Sequence, residues 1–87
     1  MVRTVAVSIL RLVRQGVVRP GAIERAVDGL SAKVLNERLR KLVACGVVRR
    51  EAYPEIPPRV EYHLTPFGQR LVKILDAIEE LDVAGAE

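Results

Sequence analysis

The chain has 87 residues, 49% of them hydrophobic, and a formal charge of +3 from 14 Lys and Arg against 11 Asp and Glu. That length allows one domain with a small core and leaves little room for an enclosed catalytic cavity, while the apolar fraction argues against disorder. The longest apolar run is four residues, no signal-peptide pattern opens the chain, and one cysteine excludes an intramolecular disulfide, so a cytoplasmic domain with no membrane partner is expected.

Residues 2–16 predict a helix, with Val5, Ile9, Leu12 and Val13 on one face and Val2, Ala6, Val7 and Leu10 widening the apolar surface. A helix apolar over most of its circumference needs cover on two sides, and in so short a chain one cover is expected to be a second subunit. Gly16 is the expected stop. A short helix over 20–28 follows, with Pro20 in its first turn and Asp28-Gly29 as the turn after it.

The best-signalled helix spans 31–45. Ser31 is its N-cap, Leu35, Leu39 and Leu42 form the buried stripe, and Gly46 ends it. The opposite face carries Lys33, Asn36, Glu37, Arg40 and Lys41. A wing hairpin is expected over 47–65, with strands at 47–53 and 60–65 joined by the proline-stiffened PEIPPR loop. Thr65-Pro66 starts the last helix, 66–82, where Phe67, Leu71, Ile74, Ile78 and Leu81 step at heptad spacing. The small acidic tail from Asp82 to Glu87 is expected to fray.

The charges divide unevenly along this order. Residues 1–50 hold 11 basic and three acidic residues (+8), and residues 51–87 hold three basic and eight acidic (−5). Such asymmetry marks a candidate nucleic-acid face. Helix, helix, capped helix, strand, stiff loop, strand, long helix is the order of a winged helix-turn-helix: mainly α with a small β-hairpin, in one domain over 1–87.

The stretch from Leu30 to Gly68, LSAKVLNERLRKLVACGVVRREAYPEIPPRVEYHLTPFG, resembles the HxlR-type transcriptional regulators. The double-proline wing followed by VEYHLT is its most specific part. The resemblance implies a prokaryotic DNA-binding regulator that dimerises through its terminal helices. Members of that family usually extend further at the N-terminus, with a cysteine before the first helix and a tryptophan in it. This chain has neither, and Cys45 sits at the end of the third helix, so cysteine-based sensing is not expected to transfer.

An α-helix fits the B-DNA major groove, and the second helix of this motif enters it N-terminus first. That places Ala32, Lys33, Asn36 and Glu37 near base edges, with Asn36 able to bridge adenine N6 and N7. Arg40 and Lys41 are expected on phosphates, and Ser31 is a cap whose neighbouring N–H groups can face one. Glu37 is expected to pair with Lys33 or Lys41, each four residues away. Arg59 at the wing is placed to enter a minor groove or meet the backbone. Arg49 and Arg50 point to opposite faces of their strand, so at most one of them faces DNA.

Tyr53, Tyr62 and Phe67 are expected to form a small core under the hairpin. A homodimer built on Val5, Ile9, Leu12, Leu71, Ile74, Ile78 and Leu81 would bury the two apolar terminal helices and read a near-palindromic operator. No nucleophile–base pair, glycine-rich phosphate loop or metal-ligand set appears, so neither an enzyme nor a cofactor or small-molecule ligand is expected. The rival readings are a winged-helix protein-interaction module and a non-specific DNA-coating protein.

Overall fold

The computed structural model describes residues 5–85. Its elements run α1 (Val5–Arg14), α2 (Pro20–Ala26), α3 (Ala32–Ala44), β1 (Val48–Tyr53), β2 (Arg59–Leu64) and α4 (Pro66–Gly85). This is a mainly helical winged helix-turn-helix with one antiparallel hairpin. Val2, Arg3 and Thr4, expected in the first helix, lie outside the described residues.

α1 closes at Arg14 because Gln15 and Gly16 turn back with 3.0–3.1 Å bonds to the Leu12 and Val13 carbonyls, and Gly16 takes a positive φ. α2 starts at Pro20 and ends at Ala26, two residues before the expected limit. α3 begins after Ser31, whose Oγ accepts from the Val34 N–H at 3.1 Å. It ends at Ala44, and Gly46, two residues on, takes a φ of +77°, the left-handed turn that a side chain would strain. α4 continues through Gly85, so residues 83–85 of the tail expected to fray are helical; Ala86 and Glu87 lie outside the described residues.

The core lies where α1, α2, α3 and the hairpin meet. Ile9, Ile23, Leu35, Leu39, Val48 and Val72 are essentially solvent-free, and Leu10, Val13, Val47 and Tyr62 complete the cluster. Removing each such side chain from water contributes about 1.5–3 kcal/mol. The connector after α1 joins this core through the backbone: the Tyr62 N–H donates to the Val18 carbonyl at 2.9 Å. Val17 and Val18 of that connector pack, partly buried, against the core that also holds Ile9 and Ile23.

In the hairpin Val48 pairs with Leu64, Arg50 with Tyr62 and Tyr53 with Arg59. Directly opposed residues share a face. One face therefore carries Val48, Arg50, Ala52, Val60, Tyr62 and Leu64, and the other carries Arg49, Glu51, Tyr53, Arg59, Glu61 and His63. The three aromatics do not form one core. Tyr62 is buried, Tyr53 lies on the polar face, and Phe67 is half exposed at the start of α4.

Candidate nucleic-acid interface

The buried stripe of α3 dictates what its other side offers. Leu35 and Leu39 are held in the core, so Ala32, Lys33, Asn36, Glu37, Arg40 and Lys41 are exposed together. Ser31, at the cap, is also exposed. Among the described residues, Lys33, Arg40 and Lys41 have no carboxylate partner. Glu37 pairs with neither Lys33 nor Lys41, contrary to expectation; an exposed pair at this spacing gains too little to hold two long side chains in place.

A cleft of about 300 Å³ opens between α3 and the hairpin, lined by Asn36, Arg40, Val43, Arg50 and Tyr62. It brings together an amide and two guanidinium groups, the groups that make bidentate contacts to adenine, guanine and phosphate. Arg50 is the residue that the sequence reading left unassigned. Strand alternation separates it from Arg49 but does not say which of the two faces α3. The pairing of Arg50 with buried Tyr62 decides it.

Arg49 lies on the other face within an ion network. It contacts Glu51 through both NH2 (2.6 Å) and Nε (2.8 Å). The Tyr53 hydroxyl donates to the same carboxylate at 2.6 Å. That hydrogen bond first, and Arg49 second, hold the Glu51 carboxyl below the usual range; the same bond raises the Tyr53 phenol. Arg59 belongs to this network too. It reaches Glu55 at 2.9 Å and Glu61 at 3.6 Å, and stacks over the Tyr53 ring at 4.0 Å. Expected at a minor groove or the DNA backbone, it is 29% exposed in this structure and braces the hairpin. The loop tip presents the fully exposed Ile56.

The charge imbalance between the two halves is partly closed by folding. Arg11 bonds Asp76 at 3.0 Å and also pairs with Glu79, and Arg14 bonds Asp76 at 2.6 Å. These bridges fasten α1 to α4, and the Arg14 hydrogen bond in particular lowers the Asp76 pKa. Among the described residues, Lys33, Arg38, Arg40 and Lys41 of α3 and Arg50 of β1 have no carboxylate partner.

The expected dimer residues separate by burial. Ile9 is completely enclosed in the chain's own core and has no surface to offer a partner. Val5, Leu12 and Leu71 are partly buried against that core. Ile74, Ile78 and Leu81 are 57%, 37% and 71% exposed, and Phe67 continues their stripe. Val72, fully buried on the inner side of α4, docks this helix on the core with Leu71 and Leu75 beside it. Cys45 is exposed at the α3 C-cap. Among the described residues no helix is long and apolar enough to cross a membrane, and no three potential metal ligands cluster.

Comparison with known proteins gives a consistent result. A family model described as HxlR-like helix-turn-helix matches residues 4–84. The chain is 42% identical over 76 residues to an uncharacterized HTH-type transcriptional regulator of Synechocystis sp., covering 87% of this chain and 56% of that protein. It is 40% identical over 72 residues to another from Methanothermobacter thermautotrophicus, covering 83% and 55%. The chain thus spans little more than half the length of these two relatives. In three dimensions it resembles a protein of Enterococcus faecalis V583 described as a MarR-family transcriptional regulator, with a TM-score of 0.85, 40% identity, and coverage of 91% of this chain and 72% of that one.

Proposed function

Because the chain belongs to the HxlR-like helix-turn-helix family, we propose that it acts in the cytoplasm as a sequence-specific transcriptional regulator that binds double-stranded DNA as a homodimer. α3 is the recognition helix. The observation that carries this reading is the convergence of Asn36, Arg40 and Arg50 in one cleft beside an exposed, unpaired basic helix face. Asn36 reads a base edge, and Lys33, Arg40, Lys41 and Arg50 hold phosphates or guanine. The N–H groups of the first α3 turn, behind the Ser31 cap and Ala32, face a phosphate. Arg59 keeps the wing in shape and meets the backbone at the wing's edge.

The dimer forms through the outer stripe of α4, where Leu71, Ile74, Ile78 and Leu81 lie at heptad spacing, with Val5 and Leu12 of α1 at its margin. An apolar stripe of this size is rarely left in water. A two-fold axis there sets two α3 helices about one DNA turn apart, ~34 Å, and calls for a near-palindromic operator.

Selection of binding sites from random duplexes tests the reading, with affinities then measured across a salt series. The expected result is an enriched, two-fold symmetric sequence whose preference is relaxed at one position per half-site by Asn36→Ala. A mismatch at such a contact costs about 1–3 kcal/mol. Binding without sequence preference, steeply weakened by salt and indifferent to Asn36→Ala, would mean a non-specific coating protein. No binding at all would leave a protein-interaction module.

A further inference from the structure

The ion network at the base of the wing does not account for its tip. Pro54, Ile56, Pro57 and Pro58 are all exposed there, and Ile56 is exposed over its whole side chain. A single apolar residue on a surface is ordinary, but here four of the five residues from 54 to 58 form an apolar cap on the end of a hairpin. The cap is also stiff. Its three prolines have fixed φ angles, and the Glu55 N–H donates to the Tyr53 carbonyl at 2.8 Å. Arg59 closes the base, bonding Glu55 at 2.9 Å and stacking over Tyr53 at 4.0 Å.

We propose that Ile56, flanked by its prolines, is a specificity-determining wedge that enters the minor groove beside the α3 site and partly unstacks one base step. This rests on the reading of α3 as the recognition helix. Minor-groove proteins insert apolar side chains of this kind, isoleucine and proline among them, between base steps. The reach fits. From the pair Val48 and Leu64 to the last pair, Tyr53 and Arg59, the hairpin runs five residue steps, about 17 Å in all. Half a duplex turn, also about 17 Å, separates a major groove from the next minor groove.

The charges of the wing point the same way. Arg49 is bonded to Glu51, Arg59 to Glu55 and Glu61, and His63 to Glu61. The carboxylates are thus turned onto the hairpin's own side chains, and Ile56, Pro57 and Pro58 carry no charge. The contact of the tip with DNA is therefore van der Waals packing, which releases no counterions. Opening a step costs least where the duplex is flexible, at TA and CA/TG. The wedge selects such a step outside the bases that Asn36 and its neighbours read, and the stiffness of the loop keeps the entropic cost of insertion small.

The test uses the tightest-bound duplex from the selection, with 2-aminopurine placed in turn at each flanking position, because that base brightens when it loses a stacking neighbour. The parent should brighten one flanking position in each half-site and favour a pyrimidine–purine step there. Ile56→Ala should abolish the brightening and that preference. It should also weaken binding about tenfold, through the apolar area no longer buried, with the slope of affinity against salt unchanged. Ile56→Leu should keep the brightening, the preference and the affinity. Both variants should melt within a few degrees of the parent, since Ile56 is fully exposed. No brightening by the DNA-bound parent, or equal brightening and affinity with Ile56→Ala, would overturn the wedge alone; a tip that meets a protein partner gives that result. A shallower salt slope in Ile56→Ala would overturn it too, because the loss would then lie in charge contacts. A parent that binds no DNA refutes both this inference and the reading of α3.

Discussion

Replacing Gly68 by alanine should destabilise the chain, although alanine is the better helix former. Gly68 lies in the first turn of α4, at the seam with the turn that ends α3. The Thr65 hydroxyl bonds the carbonyls of Gly46 at 2.5 Å and Val47 at 3.2 Å, and accepts the Gly68 N–H at 3.0 Å. The Thr65 N–H donates to the Val47 carbonyl at 3.1 Å. This cap draws the α4 backbone so close to Val47 that a Cβ on Gly68 would lie 3.0 Å from the Val47 carbonyl carbon, 3.3 Å from Leu64 Cδ2, and far inside the contact radius of the carbonyl oxygen.

The obstacle is backbone, so it cannot rotate away. Relieving it means moving α4 from the turn by on the order of 1 Å and loosening the cap. Overpacking costs about 1–3 kcal/mol, the cap about 1 kcal/mol, and alanine returns about 0.5–1 kcal/mol of propensity. The net loss is about 2 kcal/mol. At about 4–8 °C per kcal/mol for a domain of this size, the melting temperature falls by roughly 8–16 °C. Gly21→Ala is the control, since a Cβ there meets only the Arg25 guanidinium at 3.4 Å; it should be neutral or slightly stabilising. Circular dichroism melts at one fixed protein concentration provide the measurement. A Gly68→Ala protein melting within about 3 °C of the parent, or above it, refutes the reasoning.

Other perturbations probe the remaining assignments. Ile74→Glu places a charge on the exposed stripe of α4 without touching the core; sedimentation should give the mass of one chain where the parent gives two, and an unchanged mass contradicts the proposed interface. Arg50→Ala should weaken DNA binding on all sequences and reduce the salt slope by about 1 per protomer, whereas a charge loss at Arg14, tied to Asp76, should leave that slope unaltered. Leu39→Ala, at the centre of the core, should cost about 2–5 kcal/mol in denaturant unfolding; a loss under 1 kcal/mol argues against the described packing of α3.

Acid should release the α1–α4 bridge. The Asp76 pKa is lowered in the folded state, mainly by Arg14, from an ordinary value of 3.8. Its stabilising contribution is therefore present above that value and is lost as pH falls through the lower folded one. Asp76→Asn should melt below the parent at neutral pH, with the gap closing as the pH falls below the ordinary carboxyl value of 3.8. A gap that persists in acid would place the effect elsewhere.

The order of elements was legible in local chemistry. Ser31 and Thr65-Pro66 announce helix starts, Gly16 and Gly46 announce stops, and the period of apolar residues switches from helical to alternating at Val47. These signals act through bonds and torsions within a few residues, so they survive being read along a line. The helix that presents Asn36 and Arg40 could be identified in the same way, because Leu35 and Leu39 fix its buried side.

What local pattern could not settle were choices between faces and partners. Alternation separates Arg49 from Arg50, but only the packing of Tyr62 into the core assigns Arg50 to the α3 cleft and Arg49 to the ion network. Glu55 and Glu61 lie within four residues of Arg59, but spacing alone did not show that both carboxylates and the Tyr53 ring would gather around its guanidinium. Ile9 looked available to a second subunit because the chain's own core, built from α2, α3, the hairpin and α4, closes over it only in the fold. The net charge of the basic half, likewise, counts Arg11 and Arg14, which α4 neutralises from more than sixty residues away. Coulomb forces and packing depend on distance in space, and for these side chains that distance is set by the fold.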